Sequence, residues 1–123
     1  MDVTYLLPDG ATRQKTYKVP GLSRFNIWTN RETLAEDSDT LLLPTTAFSA
    51  IVESANDVPI VVERAMWWGR PTWYEGHLSA GIADTGTEWL SVGRGGWASS
   101  VPNANDTYLL VANTSDRAGR VRV

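Results

Sequence analysis

The sequence has no cysteine, a single histidine and no long run of apolar residues. Without cysteine, neither a disulfide framework nor a cysteine-based zinc site can form. His77 alone cannot supply the several histidines that many metal sites need. No apolar run approaches the ~20 residues that cross a bilayer, and the first ten residues lack the basic and apolar regions of a signal peptide. We therefore expect no membrane insertion and no signal peptide in this stretch.

Positive charge is also scarce. Eleven lysines and arginines stand against 14 acidic residues, so the formal net charge is -3. Proteins that bind the phosphate backbone carry a basic surface, whereas the basic residues here are scattered along the chain. We therefore expect no nucleic-acid partner. The 123 residues are enough for one domain with a hydrophobic core of its own.

Stretches that alternate apolar and polar residues recur along the chain and predict β-strands. Residues 2–7 alternate, Pro8-Asp9-Gly10 has the composition of a turn, and residues 12–19 complete a hairpin. On the second strand of this hairpin, the residues predicted to point outward are Arg13, Lys15 and Lys18. The other predicted strands cover residues 24–29, 41–53, 59–68, 76–82, 87–92, 106–113 and 120–123.

Helix signals are confined to residues 30–39, which suit either a short helix capped by Asn30 or a loop. Turn residues recur about every 8–12 positions, a spacing that is typical of sandwiches and barrels. The pattern predicts an all-β, antiparallel β-sandwich of about 8–10 short strands, with residues 1–123 as a single module.

Catalytic patterns are weak. His77 and Ser79 share a face of a predicted strand, but no G-x-S-x-G elbow surrounds a serine, and His77 is expected to be an ordinary strand residue. Glu63, Glu75 and Glu88 could supply paired carboxylates, yet a small sandwich rarely forms a deep cleft. No phosphate-binding glycine motif is present. We expect a protein that is not an enzyme.

Two loops are rich in oxygen ligands, residues 37–39 and residues 103–106. Hard cations such as calcium bind several loop oxygens, but neither loop has the spacing of an EF-hand, and Asp and Asn are also the common residues of turns. We expect no cofactor, and a structural calcium ion stays an open alternative.

Tryptophan is the residue in excess, with six in the chain. Trp67, Trp68, Trp73 and Tyr74 lie within eight residues. Adjacent strand residues point to opposite faces, so at most one of Trp67 and Trp68 fills the core of a simple sandwich. Trp73 and Tyr74 fall in a loop bounded by Gly and Pro. Aromatic side chains in such exposed places mark binding surfaces.

A flat indole face suits the C–H face of a pyranose ring, while nearby polar side chains bind its hydroxyl groups. The sequence therefore predicts a carbohydrate site made of aromatic and polar residues, whereas Trp28 and Trp89 are assigned to the core or to sheet faces. The predicted ligand-binding residues are Trp67, Trp68, Trp73, Tyr74 and Trp97, with the polar groups of Arg70, Glu75 and Asn103.

Six segments with distinctive sequences cover most of the chain: TYLLPDG (4–10), KTYKVPGLSRFNIW (15–28), VPIVVERAMWW (58–68), WYEGHLSAG (73–81), GTEWL (86–90) and DTYLLVANTSDRAGRVRV (106–123). Together they resemble a β-sandwich module that is repeated in tandem in large secreted or surface proteins of bacteria. The module is similar in character to non-catalytic carbohydrate-binding modules. Trp97 and residues 93–96 depart from the pattern, and they lie in the part of the module where such repeats vary most.

The resemblance implies a non-catalytic module, extracellular or on the cell surface, that is part of a larger secreted protein. It assigns no catalytic residue. Two functions follow as hypotheses: binding of a polysaccharide through exposed tryptophans or, as the alternative, a structural or adhesive repeat that packs against neighbouring modules. They differ in whether the exposed indoles contact a sugar or another copy of the module.

Overall fold

A computed structural model describes residues 1–36, 38–43, 45–68, 75–91 and 109–122, with the backbone alone for Trp68 and Glu75. Over these residues the chain is all-β, as the sequence predicts, with one short 3₁₀ turn at Thr29–Arg31. The described part divides between two compact units, Met1–Glu63 and Arg64–Val123. Five strands are present in it: β1 (Asp2–Leu6), β2 (Thr12–Thr16), β3 (Ser49–Glu53), β4 (Glu63–Trp68) and β5 (Glu75–Ala80).

The strands form two small antiparallel sheets. The first has three strands in the order β2-β1-β3, and the second has two, β4 and β5. β1 and β2 are joined by the predicted turn, in which Gly10 takes a φ of +84° and donates its N–H to the Leu7 carbonyl at 3.0 Å. The Asp9 carboxylate accepts the Ala11 N–H at 2.9 Å, so the turn residues act as their types predict.

The alternation of β1 determines which side chains form the core of the first unit. Val3 and Tyr5 point to one face and are buried, while Asp2, Thr4 and Leu6, which alternate with them, are half-buried. Tyr17, Leu42 and Leu43 complete the buried cluster. A strand with partners on both sides and one fully covered face is the expected centre of a small sheet.

Two of the outward assignments fall on the core side of the sheet. Arg13 pairs with the buried Tyr5 across the β1–β2 ladder, although its side chain is exposed. Lys15 pairs with Val3 across the β1–β2 ladder and therefore lies on the core side of the sheet. Its ammonium group is held there by the Glu32 carboxylate at 2.7 Å and by the Thr33 carbonyl at 3.0 Å. The face was misread because the strand alternation continues to Tyr17, which is buried, and places Lys15 with it.

Several predicted strands are absent from the described residues. Residues 24–28 run without strand pairing into the 3₁₀ turn. The described residues of 30–39 form turns and bends, as the loop alternative expects, with an isolated bridge between Thr33 and Leu41. The strand predicted for residues 59–68 begins only at Glu63. Alternation was not sufficient there, because a strand also needs a neighbour that completes its backbone hydrogen bonds.

In the second unit, β5 agrees with the strand predicted for residues 76–82. Residues 87–91, 109–113 and 120–122 are not strands, contrary to prediction. The chain bends at residues 115–117. Asn113 accepts the Ser115 N–H at 3.1 Å and donates to the Arg117 carbonyl at 2.7 Å. Side-chain capping of this kind favours a turn over a strand.

Candidate functional site

The predicted carbohydrate site lies largely outside the described residues. Arg70, Trp73, Tyr74, Trp97 and Asn103 belong to that undescribed part. Trp68 ends β4 and Glu75 begins β5, on the two strands of the second sheet. Trp67 is therefore the member of the predicted set whose side chain the structure describes.

Trp67 is 63% exposed on β4. Its indole lies against Gly76 of the neighbouring strand β5. A Cβ atom at Gly76 would come within 3.1 Å of Trp67 Cδ1 and within 3.4 Å of Nε1. Glycine thus leaves room for the ring to rest on the β5 backbone. The indole is supported on one side and accessible to solvent over most of its surface.

Trp89 is also an exposed indole that lies against a glycine, here Gly86, three residues earlier in the chain. It is 63% exposed, and its Nε1–H donates to the Gly86 carbonyl at 3.0 Å. A Cβ atom at Gly86 would lie 3.1 Å from Trp89 Cε2. The expectation that Trp89 is a core or sheet residue is therefore wrong: the ring is held by a local turn and exposed.

Trp28 is exposed as well, at 59%, where the sequence predicted a core or sheet position. The 3₁₀ turn that follows it is closed by the Arg31 N–H, which donates to the Trp28 carbonyl at 2.8 Å. Residues three apart are eclipsed in a 3₁₀ turn, so the Arg31 guanidinium sits 4.0 Å from the Trp28 ring centroid. That distance is within the range of a cation–π contact.

A shallow depression of about 120 Å³ begins at the same turn. Its apolar lining comes from Leu41, Leu43 and Phe48. Leu43 belongs to the buried cluster, and Phe48 packs its ring edge-to-face with Tyr5 at 5.5 Å. The hydrophobic core of the first unit therefore forms the apolar side of the depression.

The polar lining of the depression consists of hydroxyl and amide side chains: Thr29, Asn30, Thr45 and Thr46. Thr29 and Asn30 directly follow Trp28 in the chain. These groups can both donate and accept hydrogen bonds. Trp28 and Arg31 do not line the depression but flank Thr29 and Asn30 in the chain. We call Trp28, Arg31 and the adjoining depression together the Trp28 site. Sequence reasoning missed it, although the Trp-x-x-Arg spacing next to Thr and Asn was a readable signal.

A polar network lies beside the core of the first unit. The Glu32 carboxylate accepts hydrogen bonds from the Lys15 ammonium at 2.7 Å and from the Tyr17 hydroxyl at 3.0 Å. The Tyr5 and Tyr17 hydroxyl groups lie 3.3 Å apart. Burial raises the pKa of both phenols, and the hydrogen bonds of Tyr17 to Tyr5 and Glu32 raise its pKa further. The network is satisfied internally and serves the fold.

The other residues considered for chemistry are dispersed. His77 is exposed on β5 and, over the residues described, makes no hydrogen bond with Ser79. Glu63 and Glu88 are exposed. The candidate calcium loop at residues 103–106 lies outside the described residues, as does Asp37 of the loop at residues 37–39. In that second loop, the Ser38 hydroxyl accepts the Thr40 N–H at 3.1 Å. No cluster of three metal-ligating side chains occurs among the residues that could be searched.

In the described ranges, no helix combines the length and the apolar character that crossing a membrane requires. Comparison with known proteins adds no relative: no protein-family model, no curated protein and no solved structure matches the chain. The resemblance to a bacterial tandem repeat therefore stays a prediction from the sequence.

Proposed function

We propose that the protein is a non-catalytic module that binds polysaccharide through exposed tryptophans. One observation carries the proposal: Trp28, Trp67 and Trp89 are all exposed, yet each indole is held by a specific neighbour. The neighbours are Arg31, Gly76 and Gly86. An aromatic ring that is exposed and held in position loses little conformational freedom when a flat ligand stacks on it.

The chemistry of these rings favours sugars over nucleic acids. An indole face offers apolar area to the C–H groups of a pyranose ring, and its N–H can donate a hydrogen bond. Stacking of single-stranded nucleic acid requires a basic groove in addition, and the chain carries a net charge of -3. The proposal includes the finer expectations from sequence: a β-sandwich module that is extracellular or on the cell surface, as part of a larger secreted protein.

Affinity gel electrophoresis against a panel of soluble polysaccharides tests the proposal. We expect at least one polysaccharide to retard the intact protein and Trp67→Ala or Trp89→Ala to weaken the retardation. Gly76→Ala keeps the indole but places a Cβ atom 3.1 Å from Trp67 Cδ1 and 3.1 Å from the Met66 carbonyl oxygen. It should weaken binding through Trp67 by displacing the ring together with the β4 backbone beside it. If no polysaccharide retards the wild-type protein, the proposal is wrong.

Gly21→Ala provides the matched control for Gly76→Ala. Gly21 also lies outside the left-handed region, and a Cβ atom there would meet nothing within 4 Å. The control should bind like the wild type. Equal losses of polysaccharide binding in the two variants would show a general effect of replacing glycine by alanine, independent of the contacts at Gly76.

A second candidate function is supported by a different observation. The second unit exposes large aliphatic side chains, among them Leu78, Ile82 and Leu90. Exposed apolar surface also marks contacts between proteins. A structural or adhesive repeat that packs against neighbouring modules would cover these residues. A protein of two modules in tandem should then melt at a higher temperature than one, and iodide should quench its tryptophan fluorescence less.

A further inference from the structure

We propose that the Trp28 site binds an acidic sugar unit, a uronate, with Arg31 as the group that recognises its carboxylate. The inference rests on the proposed function and deepens it, because it assigns one site and one class of sugar. Three features of the first unit support it: the contact of Arg31 with Trp28, the lining of the depression and the ion pair beside Arg31.

Arg31 is positioned to bind a carboxylate. The guanidinium carbon lies over the Trp28 ring, 4.0 Å from the ring centroid. The guanidinium carries five N–H donors in one plane. A planar fork of donors matches a carboxylate in a bidentate pair. The contact with Trp28 also restricts the side chain before any ligand arrives, which lowers the entropic cost of binding.

The depression fits a part of a sugar polymer rather than a whole small-molecule ligand. Its volume of about 120 Å³ is well below the ~300 Å³ at the lower end of ligand pockets. Apolar groups on one side and Thr and Asn side chains on the other match a pyranose ring, which presents C–H groups on its faces and hydroxyl groups at its edge. The rest of a polymer would extend over the exposed surface.

The carboxylate that directly follows Arg31 in the chain is neutralised by an ion pair. Glu32, the residue after Arg31, is engaged by Lys15 at 2.7 Å, so its negative charge is balanced. This is the one ion pair among the residues that the structure describes, and it leaves Arg31 without a carboxylate partner there. The net charge of -3 is small, and repulsion from distant charges is screened beyond about 8 Å at physiological salt.

Isothermal titration calorimetry with two forms of one polymer tests the inference. The probes are polygalacturonate and the same polymer with its carboxylates methyl-esterified, which differ in charge and not in the sugar ring. We expect the wild-type protein to bind the charged form about tenfold more tightly, because a charge-assisted pair exceeds a neutral contact by this order. Added salt should reduce that difference.

Arg31→Gln should abolish the preference for the charged polymer while leaving binding of the ester nearly unchanged. Arg31→Lys should retain only part of it, because lysine keeps the charge and loses the planar fork. Trp28→Ala should weaken binding of both polymers. Arg24→Gln removes the same charge from an exposed arginine of the same unit and should behave like the wild type. Far-UV circular dichroism of each variant confirms that it folds.

The outcomes separate this inference from the proposed function. If the wild type binds polysaccharides but Arg31→Gln and Trp28→Ala bind as well as it does, the Trp28 site is wrong and the proposed function stands. If the ester binds as tightly as the charged polymer, recognition of a carboxylate is wrong. If Arg24→Gln lowers the preference as much as Arg31→Gln, net charge explains it and the assignment to Arg31 is wrong.

Discussion

The two compact units bury their apolar residues differently. Met1–Glu63 encloses five buried side chains around β1. In Arg64–Val123, every side chain that the structure describes is exposed apart from the half-buried Ser79. Both units contain alternating strands, so alternation alone does not make a core. A strand buries its apolar face when further segments of the chain cover that face.

The number of paired strands accounts for part of this difference. β1 has a partner on each side, and Leu42 and Leu43 cover its apolar face. Among the residues that the structure describes, β4 and β5 form a sheet of two strands, and a sheet of that size is at best marginally stable in isolation. A ligand or a neighbouring module that covers the exposed face of the second sheet would therefore stabilise that sheet more than it would stabilise the first.

The largest expected effect is the loss of Tyr5, which is 1% exposed at the centre of the first unit. Tyr5→Ala removes the ring that packs against Phe48 and leaves a cavity, so we expect the free energy of unfolding to fall by about 3–5 kcal/mol. Urea unfolding followed by circular dichroism measures it. Tyr5→Phe keeps the ring and should lose only about 1 kcal/mol; equal losses would contradict a packing role.

Loss of Glu32 should have a smaller effect. Glu32→Ala leaves the Lys15 ammonium and the Tyr17 hydroxyl without the carboxylate that accepts both. Lys15 keeps the Thr33 carbonyl and Tyr17 keeps the Tyr5 hydroxyl as partners. We therefore expect a loss of about 1 kcal/mol in urea unfolding, the size of one hydrogen bond. The exposed Glu36 provides the control, since Glu36→Ala should change stability little. Similar losses in both variants would show that the network contributes nothing specific.

Alkaline pH should weaken the first unit through the two buried phenols. Burial raises the folded-state pKa of Tyr5 and Tyr17 above the ordinary value of 10.0. The unfolded chain therefore ionises first, so the stabilisation is complete below pH 10 and declines above it. At one pH unit above 10, ionisation of Tyr17 in the unfolded chain should lower the free energy of unfolding by about 1 kcal/mol. Tyr17→Phe should flatten the pH dependence of the melting temperature; an unchanged slope would contradict it.

The smallest expected effect concerns the second unit. Leu90 is 94% exposed, so Leu90→Ser should change the free energy of unfolding by less than about 0.5 kcal/mol. The same urea experiment measures it beside Tyr5→Ala. A loss comparable to that of Tyr5→Ala would mean that Leu90 is covered in solution, and the contrast between the units would fail.

Local chemistry predicted the first hairpin well. Pro8-Asp9-Gly10 forms its turn, and the buried Val3 and Tyr5 follow the alternation of β1. The side of Lys15 was predicted wrongly, because a charged residue was assumed to face water. In the fold, Glu32 from a distant turn reaches it. Sequence reasoning could not find this pairing, because the two residues meet only through the loop that follows Trp28.

The exposure of tryptophan was predicted by residue type more than by position, and the Trp28 site was not predicted. The expectation that tryptophans are exposed agrees with Trp67, whereas Trp28 and Trp89 were assigned to the core or to sheet faces and are exposed. The error at Trp28 came from extending a strand pattern into residues that form a turn. Alternation describes a face only where a ladder of backbone hydrogen bonds keeps the chain extended.

The sequence by itself determined that the chain is all-β, that its turns fall at Gly, Pro, Asn and Asp residues, and that it has more tryptophan than a small core needs. Only the tertiary structure decided which faces are covered and which indoles are held. The Trp67 ring lies against Gly76 of the paired strand, and the Arg31 guanidinium lies over the Trp28 ring because one 3₁₀ turn brings the two residues together. Propensity acts on neighbours in the chain, whereas burial and stacking depend on neighbours in space.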